Sequence, residues 1–125
     1  MILDTIVIQK EKEVALLKAH GVSRPEMDVD PPRGFMQALT QSSEIAAIAE
    51  VKKGSPSKGI ISPDFNPTAI ASSYEKGGAD AVSVLTDEKF FYGSLDYIPL
   101  VRQEIQLPVI RKDFIIHELQ IEEAG

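Results

Sequence analysis

The sequence contains no cysteine, so disulfides, iron–sulfur clusters and thiolate chemistry are all excluded, and a reducing cytosol is compatible with the chain. It has no apolar run approaching the roughly 18–20 residues of a membrane span, and its N-terminus lacks the charge-then-apolar pattern of a secretory signal. Basic residues are outnumbered, 13 against 19 acidic, and the net charge of −6 opposes general attraction to nucleic acid or to an anionic membrane. No internal repeat exceeds the strand–helix units described below, and no segment is of low complexity. Together these absences predict a soluble cytoplasmic protein with neither a nucleic-acid nor a membrane partner.

What is present fits one modest domain with a real core: 125 residues, 43% hydrophobic and 26% charged. Residues 2–19, ILDTIVIQKEKEVALLKA, carry Ile2, Ile6, Val14 and Leu17 at mostly helical spacing, with Gly21 as a stop, and predict an amphipathic helix. The Pro- and acid-rich GVSRPEMDVDPPRG reads as a connection to a short helix at Phe35–Thr40. Beyond it the grammar changes to EIAAIAEV, NPTAIASSYEKGG, ADAVSVLTD, SLDYIPLVRQEI, LPVIRKDFI and HELQIEEAG. That is strand, helix, strand, helix, strand, helix, the pattern of a parallel α/β fold. Asn66-Pro67 and Ser94 are predicted to cap helices, and Gly77-Gly78 to end one.

In parallel α/β sheets ligands collect at the carboxyl ends of strands, where loops line a cleft. Glu50 and Lys52 lie at that end of the first strand, and their spacing of two predicts a shared face with Ala46 and Ile48. Ile110 and Lys112 share a face of the third strand by the same count. A single lysine there reads as a solvated residue where a strand frays. Two lysines and a glutamate converging on one rim point to chemistry, because lysine is rarely buried unpaired and Glu50 is the obvious partner of Lys52 or Lys112. Phe90 reads as core, Lys53 and Lys58 as solvated or loop-positioning, and Pro56 as shaping its turn. Arg111 should face helices or solvent, and Asp113 should point away from Lys112 into a structural hydrogen bond. His20 and His117 have no ligand-like neighbours, so no metal site is expected.

Three strand-end motifs, IAEVKKGSPSKG, LTDEKFFYGS and PVIRKDFI, resemble in order and spacing the N-terminal part of the indole-3-glycerol phosphate synthase family, (β/α)8-barrel enzymes of tryptophan biosynthesis. The resemblance extends over essentially the whole chain, including the ILDTIVIQKEKEVALL helix and PPRGFMQAL, which are similar to the extra helices this family adds to its barrel. It implies a partial TIM barrel of about three βα units over residues 44–125, preceded by a helical extension over residues 1–43. It also implies a lyase reaction without metal or organic cofactor. A phosphorylated small molecule, 1-(2-carboxyphenylamino)-1-deoxyribulose 5-phosphate, loses CO2 and water to give indole-3-glycerol phosphate.

By the family pattern Lys112 is the general acid that protonates the ketone oxygen, and Glu50 is the active-site glutamate that holds and tunes the lysines. Lys52 contacts the substrate phosphate or carboxylate as a compact cation. Ser55 offers its hydroxyl or turn N–H groups to an anionic oxygen. Phe91 packs near the anthranilate ring, and Phe114 helps to wall the same pocket. The chain is expected to end at or just after the helix following the third barrel strand, without the family's second catalytic glutamate and phosphate cradle. An isolated chain should therefore be inactive, and its open sheet edges and apolar inner face predict a homo-oligomer. Three rivals remain: a Schiff-base aldolase using Lys112, a phosphate- or nucleic-acid-binding module using Lys52, Lys53 and Lys58, and a non-enzymatic partial-barrel assembly unit.

Overall fold

A computed structural model describes residues 2–22, 31–41 and 45–124. The elements run α1 (Ile2–His20), α2 (Phe35–Thr40), β1 (Ile48–Val51), β2 (Gly54–Ser55), β3 (Gly59–Ile60), α3 (Pro67–Lys76), β4 (Ala81–Leu85), α4 (Tyr97–Glu104), β5 (Val109–Lys112) and α5 (Glu118–Ala124). Most of the expected connection between α1 and α2, residues 23–30, lies outside the described residues. The chain divides into two compact units, residues 1–26 with 113–125, and residues 27–112.

The larger unit is built on a parallel sheet of order β1-β4-β5, with α3 and α4 as the crossovers between neighbouring strands. Register pairs Glu50 with Ser83 and Val51 with Val84 on one side of β4, and Ser83 with Ile110 and Leu85 with Lys112 on the other. Because side chains alternate along a strand, one face carries Ala49, Val51, Val82, Val84, Val109 and Arg111. Val51, Val82 and Val84 pack with Ala71 of α3, Val101 of α4 and Ile105 in a fully buried core. The opposite face carries Ile48, Glu50, Ala81, Ser83, Leu85, Ile110 and Lys112. There Ile48 and Ile110 remain 50% and 42% exposed, although parallel sheets are ordinarily covered on both faces.

Local chemistry explains the element ends. Asn66 caps α3, its side chain accepting from the Ala69 N–H at 3.2 Å, and Pro67 follows in the first turn. Gly21 and Gly78 end α1 and α3 at φ of 79° and 93°, a conformation that disfavours a side chain. Arg33 donates to the carbonyls of Arg102, Ile105 and Leu107 at 2.7–3.0 Å, while Arg102 donates to Pro31 O at 2.7 Å. The carbonyls around the end of α4 thereby gain partners and fix the segment that leads into α2.

Three expectations need adjustment. Of the expected strand EIAAIAEV, Glu44 lies outside the described residues and the paired strand begins at Ile48, because the Ala47 N–H goes to the Asp80 carboxylate at 2.8 Å and not to a ladder partner. α4 begins at Tyr97, since Ser94 closes a preceding turn, its hydroxyl accepting from Asp96 N and its carbonyl from Tyr97 N, both at 3.2 Å. The buried stripe of α1 is Ile6, Lys10 and Val14, whereas Ile2 is 56% exposed.

Candidate active site

Glu50 and Lys112 stand on β1 and β5 with β4 between them, so their backbones are roughly 10 Å apart at a strand spacing of about 4.8 Å. Only long side chains close such a gap. The Lys112 ammonium donates to the Glu50 carboxylate at 2.8 Å, and the residue paired with Glu50 across the ladder on that face is the small, buried Ser83. Tyr74 O–H donates to the Glu50 carbonyl at 2.7 Å, fixing the strand beneath the carboxylate.

The two side chains are 58% and 32% exposed. An ion pair so open to water contributes only about 0.2–1 kcal/mol to stability, so the geometry is poorly explained as a structural brace. It presents an ammonium, held at one point by a carboxylate, with further N–H donors directed elsewhere. The arrangement can donate a proton to an oxygen and stabilise negative charge there.

Lys52 lies one position beyond the end of β1 and is half-buried. Ladder alternation therefore stops before it reaches this residue. The GSPSKG segment forms a small antiparallel hairpin, with Gly54 paired to Ile60 and Ser55 to Gly59, an element not anticipated from sequence. Ser55 is buried, and its hydroxyl accepts from Lys58 N at 3.2 Å and lies 3.4 Å from the Ser57 hydroxyl. The hydroxyl thus has partners within its own turn. Lys53 O accepts from the N–H groups of Ile61 and Ser62, closing the hairpin.

Phe91 follows β4 in a tight loop, its N–H bonded to the buried Asp87 carboxylate at 3.1 Å. Arg111 donates from Nε to Thr86 Oγ1 at 3.0 Å. Phe114 belongs to the smaller unit, where its N–H bonds the Asp113 carboxylate at 2.7 Å and its carbonyl accepts from Gln120 Nε2 at 2.9 Å.

Lys10 was missed as a residue of interest. It is fully buried and pairs with Asp113 at 2.8 Å and Glu13 at 3.2 Å. The available signal was position, because Lys10 falls midway between Ile6 and Val14 on a four-residue stripe. The same unit holds a cleft of about 240 Å³ lined by Glu11, Val14, Ala15, Lys18, Ile116 and His117, none of them a predicted site residue.

Residues 3–125 match the family model described as indole-3-glycerol phosphate synthase. Similar curated proteins carry the same description. One from Desulfotalea psychrophila is 54% identical over 128 residues, covering 99% of this chain and 49% of the relative. One from a Geobacillus species is 50% identical, covering 98% and 46%, and one from Rippkaea orientalis is 49% identical, covering 96% and 43%. The chain spans about half the length of the curated relatives it matches.

Proposed function

The chain belongs to the indole-3-glycerol phosphate synthase family, and from that membership we propose that it forms the first part of such a synthase's active site. The family builds a TIM barrel, and the parallel sheet of β1, β4 and β5 with its helices is a partial one. The proposed division places a helical extension in residues 1–43 and the first three βα units in residues 44–125.

The proposed reaction starts from 1-(2-carboxyphenylamino)-1-deoxyribulose 5-phosphate. The ring carbon that bears the carboxylate attacks the ketone carbon while Lys112 gives a proton to the ketone oxygen. Carbon dioxide leaves the ring carbon, and loss of the new hydroxyl as water yields indole-3-glycerol phosphate. Such a positioned donor contributes about 100- to 10,000-fold. Glu50 holds the ammonium in place, Lys52 and Ser55 meet anionic oxygens of the substrate, and Phe91 packs near its aromatic ring, with Phe114 assigned to the substrate by the family resemblance alone.

The observation that carries this reading is the 2.8 Å Lys112–Glu50 pair at the carboxyl end of the sheet, where barrel enzymes gather their catalytic groups. An aldolase reading of Lys112 requires covalent attachment of the substrate carbonyl as a Schiff base, which the synthase reading does not. Incubating the full-length protein that carries these residues with the substrate should release indole-3-glycerol phosphate. Absence of product, or covalent capture of substrate on Lys112 by borohydride, would refute the reading. The 125-residue chain alone is proposed to lack turnover and to self-associate; product formation by that chain would contradict the first of these.

A further inference from the structure

The loop after β4 is held from an unexpected quarter. Asp87 is fully buried, and its Oδ2 accepts from two successive backbone N–H groups, Phe90 at 2.8 Å and Phe91 at 3.1 Å. Its carbonyl accepts from Gly93 N at 2.7 Å, so one residue closes the loop at both ends. A buried carboxylate is costly unless it receives such bonds.

Two further constraints tighten the loop. Tyr92 is the non-glycine residue with positive φ among those described, at 57°, and such a conformation persists only where its surroundings determine it. A β-carbon on Gly93 would lie 2.2 Å from Leu85 O, so the chain there passes flush against the strand. The loop also reaches both neighbouring strand ends. Tyr92 packs its ring so closely over Gly54 that a β-carbon there would meet Cδ2 at 2.5 Å. On the other flank Thr86 N donates to Lys112 O at 3.1 Å, and Thr86 Oγ1 accepts from Arg111.

We propose that Asp87 is a positioning residue for substrate binding: its carboxylate locks the loop bearing Phe91 and, through Tyr92 on Gly54, holds that loop against the hairpin bearing Ser55. This rests on the synthase reading for the role of Phe91 and Ser55. Both of these bonds go to neutral N–H groups, so an amide oxygen at the same place can accept them as well. A backbone held in one form before substrate arrives avoids an ordering cost on binding.

The test uses the full-length protein and compares Asp87→Ala with Asp87→Asn, whose amide oxygen can still accept both N–H groups. Asp87→Ala should raise KM about tenfold or more while kcat changes less, the signature of lost binding in ground and transition states alike. The Phe90 and Phe91 amides should exchange with deuterium at least about tenfold faster, with Val82 and Val84 unchanged. Asp87→Asn should stay within about threefold of wild type in both readouts. An unchanged KM in Asp87→Ala would overturn the proposal, as would equal acceleration at Val82 and Val84 or an Asn variant as impaired as Ala. A wild-type protein without turnover would remove the synthase reading alone. Unchanged Phe90 and Phe91 exchange in Asp87→Ala would still overturn the Asp87 lock in that case.

Discussion

At the residue scale, two lysine–carboxylate pairs have opposite energetic meanings. Lys112–Glu50 is open to water, so replacing Glu50 by Gln should shift stability by less than about 1 kcal/mol. Its expected effect is on chemistry. Glu50→Gln in the full-length protein should lower kcat by roughly 10- to 100-fold through misplacement of the ammonium, measured by steady-state turnover beside a thermal melt. Lys10–Asp113 is the reverse case, with side chains only 1% and 3% exposed. Lys10→Met removes the ammonium beside the buried Asp113 carboxylate and should cost about 3–5 kcal/mol in denaturant unfolding. Adding Asp113→Asn should recover part of that loss, a coupling that a double-mutant cycle measures. The sequence left Lys52 and Lys112 as alternative partners of Glu50 at one rim, and the structure pairs Glu50 with Lys112. Lys10 was overlooked because a charged KEKE run reads as a solvated face, although its place between Ile6 and Val14 marks it as buried.

At the element scale, legibility followed how local each determinant is. α3 was readable because Asn66-Pro67 and Gly78 carry their boundary chemistry in their own side chains and dihedrals. β4 was readable because a central parallel strand is buried throughout, and AVSVL is apolar but for one serine. The β2–β3 hairpin was not, since two paired residues on each side leave no periodicity to detect. The start of α4 was misplaced because Ser94 can serve a turn as well as a helix, and only the fold decides which. The crossover helices owe their place to packing more than to propensity. Ile105→Ala, at a fully buried position just after α4, should destabilise by about 2–5 kcal/mol in urea unfolding. Gly93→Ala should cost about 3 kcal/mol by the same measurement, because its β-carbon has no room beside Leu85 O.

At the scale of the whole molecule, the sheet face that carries Glu50 and Lys112 also leaves Ile48 and Ile110 half-exposed. In the family's complete barrel, inward side chains pack in layers. The chain matches about half its relatives' length, and an apolar sheet face left half-open favours association. The isolated 125-residue chain should therefore self-associate, and light scattering that finds a stable monomer would contradict this. The family was legible from three strand-end motifs, because the strand ends of parallel α/β folds combine ladder structure with distinctive loop residues. Lys112 as the proton donor of a synthase is put to the test by the turnover of full-length Lys112→Ala. Product formation should fall by about 100-fold or more with the melting temperature unchanged; near-normal turnover in the folded variant would contradict it.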